Sequence, residues 1–195
     1  MSAVTDDIDE IQGVDLDDDE YEIVQSLVRN KYEAYDSNGD LVFKGKQKMF
    51  KMKEEFPFVD AEGNELFTVK AGGILDVAGD YTLTDAQTDE PIVVLDNNWS
   101  FFNDVWKIRH PQNEALVATI ELQSIVSELI RTFVPYGEIL PHKYEITDVD
   151  DEHVGDIEGQ LSLKDTYEIT IDDTGDVPRD AVVAAACVID AIEGN

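Results

Sequence analysis

From Ala181 to Ile189 nine consecutive residues, AVVAAACVI, carry neither a charge nor a side-chain amide. Pro178 suits a first helical turn, Asp176 or Asp180 suits the positive end of a helix dipole, and Gly194 suits a stop. A helix of about 178–192 follows, and at roughly 3.6 residues per turn its apolar run leaves no polar face. Such a helix is buried, either in a protein core or in a bilayer. This one falls short of the roughly 20 apolar residues that cross a bilayer. A core is therefore expected, with Val182, Val183, Ala186, Cys187 and Ile189 as its packing residues. The alanines keep the helix thin, which suits a narrow enclosure.

The enclosure is suggested by an internal repeat. The stretches YEAYDSNGDLVF from Tyr32, FPFVDAEGNELF from Phe56, YTLTDAQTDEPI from Tyr81, WKIRHPQNEALV from Trp106 and YEITDVDDEHVG from Tyr144 each open on an aromatic residue and then alternate. Their fifth residue is Asp36, Asp60, Asp85, His110 or Asp148, and their eighth is Gly39, Gly63, Thr88, Asn113 or Asp151. Those are turn-forming types, and an apolar or β-branched run resumes after each, so every unit predicts a β-hairpin. A sixth opening, YEITIDDTGD from Tyr167, has the strand but leads into the terminal segment.

The openings at 32, 56, 81, 106, 144 and 167 are separated by 24, 25, 25, 38 and 23 residues. The long step contains SIVSELIRTFVPYG, where Ile125, Leu129, Ile130 and Phe133 have helical spacing before Pro135 and Gly137. A short helix inserted at 125–134 is expected there. The fold class is then mainly β, with about a dozen antiparallel strands and nothing that suggests βαβ crossovers. So many twisted strands must close or split, and a wide closed barrel needs something to fill it. The terminal helix fits that vacancy.

The ordered series of Tyr-x-x-x-Asp-x-x-Gly hairpins, together with LVFKGK, FPFVDAEGNELFTVK, LPHKYEITD and the Ala/Val-rich terminal helix, resembles the LURP-one-related family. The resemblance covers about residues 21–192. It implies the tubby C-terminal-like fold, a twelve-stranded barrel around a central hydrophobic helix. The inserted helix departs from the simplest family pattern. Relatives with this fold include phosphoinositide-binding tubby domains and phospholipid scramblases, and the resemblance carries over no catalytic residue.

Charge sets the environment. The chain has 44 acids against 14 lysines and arginines, a net charge of -30, which strains a compact state by self-repulsion unless salt screens it. That balance predicts a protein adapted to high salt, such as one from a halophilic archaeon. An acidic protein with basic partners is the other reading. In both cases the field repels nucleic acid and anionic membranes at long range. Residues 1–20 hold nine acids and no base or aromatic, and they are expected to form a flexible arm in which Ile8, Ile11, Val14 and Leu16 pack weakly. Residues 21–195 are expected to be one domain. The start lacks the basic and apolar regions of a secretory signal, so a cytoplasmic location is expected, and not that of an integral membrane protein. Cys187 is the single cysteine, which rules out an intramolecular disulfide.

Five of the 14 basic residues, Lys44, Lys46, Lys48, Lys51 and Lys53, fall within ten positions. On a strand Lys44, Lys46 and Lys48 share a face and could meet an anionic head group. The same lysines could equally solvate an outer face or guard an edge. DSNGD and DVDDE look like calcium loops, but counting from Asp36 the sixth and twelfth residues are Leu41 and Gln47, and from Asp148 they are His153 and Gly159. Neither supplies the Gly and Glu that an EF-hand requires. His110, His142 and His153 lack ligand spacing, so no metal and no cofactor is implied. Trp99, Phe101, Phe102 and Trp106 read as barrel core in preference to a stacking platform. Together these features point to a non-enzymatic binding or scaffold module, its partner unknown, with a protein or a lipid head group as the candidates. Head-group binding through the lysine face is one alternative. An enzyme using acids with His110 or His153 at the barrel mouth is another.

Overall fold

The computed structural model describes Ile8 and residues 10–26, 31–46, 56–72, 80–97, 105–123, 143–160, 165–175 and 177–193. Twelve strands run in order: β1 (Glu20–Ser26), β2 (Lys31–Asp36), β3 (Leu41–Lys46), β4 (Phe56–Val59), β5 (Glu65–Ala71), β6 (Asp80–Asp85), β7 (Pro91–Asn97), β8 (Val105–Arg109), β9 (Leu116–Gln123), β10 (Lys143–Asp148), β11 (His153–Gln160) and β12 (Asp165–Ile171). Helix α1 (Arg179–Glu193) follows. Each strand pairs antiparallel with its sequence neighbours, and β12 pairs with β1 from Glu20↔Thr170 to Gln25↔Asp165, so the sheet closes. The expected inserted helix at 125–134 lies outside the described residues.

The repeat works as a series of carboxylate-capped turns. Asp36 Oδ1 accepts the amides of Asn38 and Asp40 at 3.0 and 2.8 Å. Asp60 Oδ1 takes those of Gly63 and Asn64 at 2.6 and 2.8 Å. Asp85 Oδ1 takes Gln87 and Thr88, both at 2.7 Å, and Asp148 Oδ1 takes Asp150 and Glu152, both at 2.8 Å. His110 replaces the carboxylate in the remaining unit, its Nδ1 accepting the Gln112 amide at 3.2 Å. The left-handed residue is Gly39, Gly63 or Asp151 in three units, at the eighth position. In the other two it is Asp89 or Glu114, one residue later than Thr88 and Asn113. The turns β2–β3, β4–β5, β6–β7, β8–β9 and β10–β11 alternate with the other connections, so up-and-down order gathers all five at one end of the barrel.

Helix α1 occupies the lumen. It packs against β2 and β12, which flank β1, and also against β7, halfway round the ring. Only a helix inside the barrel can touch both sides. Every residue from Ala181 to Ile189 is buried, Cys187 among them. Burying each Val or Ile side chain stabilises the fold by about 1.5–3 kcal/mol, which makes the helix a major part of the core. Inward-facing Ile23, Tyr32, Leu95, Trp106, Ile120 and Ile169 close around it.

One seam is built differently. Between β3 and β4 the register has a single pair among the described residues, Lys44↔Val59. Behind it lie Phe43, Phe58 and Phe67. Phe58 stacks on Phe67 with centroids 4.5 Å apart, and Phe43 meets both rings edge-on at 5.7 and 5.3 Å. The Phe58 ring covers Gly45 so closely that a Cβ there would lie 2.7 Å from it. Ring packing adds to the single described pair at this seam.

Candidate functional site: the outer wall

Because the lumen is filled by the chain's own helix, chemistry that meets a partner must sit outside. Strand alternation turns Glu20 and Glu22 of β1, Glu121 of β9, Glu145 of β10, Asp156 and Glu158 of β11 and Glu168 of β12 outward. Register then sets like charges side by side. Glu22 and Glu158 both face Glu168, and Glu121 and Asp156 both face Glu145. Directly opposed like charges oppose sheet formation, and salt screening weakens that cost.

Three basic side chains punctuate this side. Lys143 Nζ lies 3.2 Å from Asp156 Oδ2. His153 Nδ1 lies 3.3 Å from Glu145 Oε1 and its Nε2 3.2 Å from Asp172 Oδ2. Arg179 Nη1 reaches Asp19 Oδ1 at 3.1 Å. His153 is the sequence-predicted acid/base candidate that does meet carboxylates, but its side chain is 39% exposed on the open wall. An exposed network of this kind contributes little stability and offers no enclosed reaction site. His110 is buried as a turn residue, and His142 lies outside the described residues.

A shallow groove of about 260 Å³ runs between β1, β12 and the β2–β3 turn, lined by Glu20, Glu22, Asp36, Glu168, Tyr21 and Gln160. Burial pushes the Tyr21 hydroxyl above its ordinary range, partly offset by the Asp18 amide bonded to it and by nearby Arg179. Burial, followed by the Glu33 carboxylate, does the same to Tyr35.

The lysine candidates have a mixed outcome. Phe43 and Gly45 are buried while Lys44 is half-exposed, so Lys44 faces outward. Lys44 Nζ donates to the Ala61 carbonyl at 2.9 Å and stands opposite Glu33 on β2. Lys48, Lys51 and Lys53 lie outside the described residues. The residue that sequence reading missed is Lys31, the register partner of Lys46. Only the hairpin pairing joins them, since they are 15 positions apart in a chain whose composition singles out neither.

Trp106 is fully buried, 6.1 Å from Tyr81 centroid to centroid, which places it in the core. Trp99, Phe101 and Phe102 lie outside the described residues. Among the described residues no group of three or more His, Cys, Asp or Glu side chains is arranged to hold a metal ion. Among them, too, no helix is long and apolar enough to cross a membrane.

Comparison with known proteins agrees with the topology. A family model described as LURP-one-related matches residues 41–190. The X-ray structure of an Arabidopsis thaliana protein superposes with a TM-score of 0.55 over 89% of this chain and 91% of that one, at 13% identity. At that identity the likeness concerns the fold alone. No curated protein matches the sequence.

Proposed function

The chain belongs to the LURP-one-related family, and we propose that its barrel is a non-enzymatic binding or scaffold module, tubby-like in architecture, cytoplasmic and adapted to high salt. The observation that carries this reading is the occupied lumen: with Ala181 through Ile189 buried inside, recognition falls to the outer wall and the turns. The net charge of -30 and the opposed carboxylates of β9–β12 and β1 support the salt adaptation, because only screening makes such rows inexpensive. The acid/base alternative would rest on His153 with Glu145 and Asp172, whose exposure argues against it.

A second reading has its own support. Lys31 and Lys44 share the outer face of β2–β3, and with Lys46, Lys48, Lys51 and Lys53 they could hold an anionic lipid head group. Two experiments separate the readings. Photo-crosslinking side chains placed at Glu158 and at Lys44 in the source cell should give a discrete protein adduct if a partner docks on either wall. Liposomes carrying phosphoinositides should sediment the protein, and reversal of Lys44, Lys46 and Lys48 to Glu should abolish that, if head groups bind. Adducts at neither position together with no sedimentation at any salt would reject the binding module in both forms.

A further inference from the structure

We propose that residues 10–19 are a salt-gated lid over the turn-bearing end of the barrel, opening when salt is low while the barrel itself stays closed. The segment begins beside β1, where the Asp19 carbonyl accepts the Ile171 amide at 2.8 Å. It then crosses to the β6–β7 turn, halfway round the ring. There the Gln12 amide donates to Asp85 Oδ2 at 2.6 Å, and Gln87 Nε2 donates to the Gln12 carbonyl at 3.0 Å. One residue beyond, the Ile11 amide donates to Asp180 at the start of α1. Ile11 and Leu16 are buried in the core, 2% and 8% exposed, so the lid covers apolar surface as well.

Two carboxylates, Asp85 and Asp180, thus receive a segment that is itself acidic. Glu10, Asp15, Asp17, Asp18 and Asp19 dock with no base among them. The opposing cation is Arg179, whose Nη1 donates to the carbonyls of Asp17 and Asp18 and meets Asp19. Repulsion between lid and end therefore works against hydrogen bonds and two apolar side chains. Its range is about 10 Å at 0.1 M salt and about 3 Å at 1 M, so the balance moves with ionic strength. The strands are held on both edges by ladders, whereas the lid hangs on a few bonds; local opening is drawn from elements of that kind.

Hydrogen exchange on the full chain tests the proposal. The amides of Ile11 and Gln12 should exchange at least threefold faster at 0.1 M than at 2 M potassium chloride, measured relative to the amides of Phe67 and Ile120 within the ladder. A relative change below threefold overturns the lid, including the case in which lid and strands accelerate together, which would leave the general salt adaptation standing. Ile11→Asp removes the more deeply buried apolar contact without touching a strand. It should strip protection from Gln12 at both salt concentrations, and persistent protection in that variant also overturns the proposal.

Discussion

Glu168 and Ile169 are adjacent on β12, yet different forces govern them. Ile169 is buried in a lumen filled by α1, where shape and volume decide the outcome. Glu168 faces water between Glu22 and Glu158, where charge and screening decide it. On β12 the inner face is thus indifferent to salt and the outer face dependent on it. A sequence so acidic can still fold where the two requirements fall on alternate residues, as they do on β1, β10 and β12.

The sharpest way to break the contrast is to move outer-face chemistry inside. Val183→Asp puts a carboxylate on the buried helix, where an unpaired charge costs several kcal/mol against a total stability of about 5–15 kcal/mol for a domain. No cooperative thermal transition should remain, and a folded variant would mean that α1 is not the plug. A milder test concerns shape alone. A Cβ at Gly155 would lie 2.2 Å from the Thr170 carbonyl oxygen and 3.1 Å from the Ile171 Cα, both backbone atoms of the paired strand. Gly155→Ala should cost about 3 kcal/mol in denaturant titration, with no change in the salt dependence.

The outer face should respond to salt in its turn. Reducing potassium chloride from 2 M to 0.1 M should cost about 2 kcal/mol, or about 4–8 °C in Tm for a chain of this size. An unchanged Tm would remove the case for salt adaptation. The smallest effect concerns acid. Burial raises the Asp85 carboxyl, but the amides of Thr88, Gln12 and Gln87 and the Thr88 hydroxyl together outweigh it, and the net direction is downward. The folded value thus lies below the unfolded one, so Asp85 contributes stability above its unfolded pKa and loses it as pH falls through the folded value. Asp85→Asn should cost about 1–2 kcal/mol at pH 7 and flatten the acid limb of the stability curve. Burial raises Asp180, with the Ile11 and Ala181 amides opposing it, so its sign is reversed: its contribution is present at low pH and is lost as pH rises through the folded value.

What the sequence made legible follows from locality. The hairpins could be read because each turn is capped by a carboxylate or imidazole within the same few residues, as at Asp36, Asp60 and His110. The helix could be read because all-round apolarity is a property of one segment. Relations across the chain could not. The bond from Gln12 to Asp85 spans 73 residues and that from Ile11 to Asp180 spans 169, and no local pattern announces either. Composition gave the terminal arm its acids, while burial of Ile11 and Leu16 depends on the barrel end beneath them. The candidate lysines were legible as a cluster, but Lys31 joins their face only through strand register.

The pairing of β1 with β12 joins residues about 150 positions apart, and the helix that fills the ring follows the last strand. During synthesis the wall is therefore made before either its closing edge or its filling. The ring cannot close until β12 is available, and its lumen cannot be filled until α1 follows. Barrels with such distant closure fold slowly.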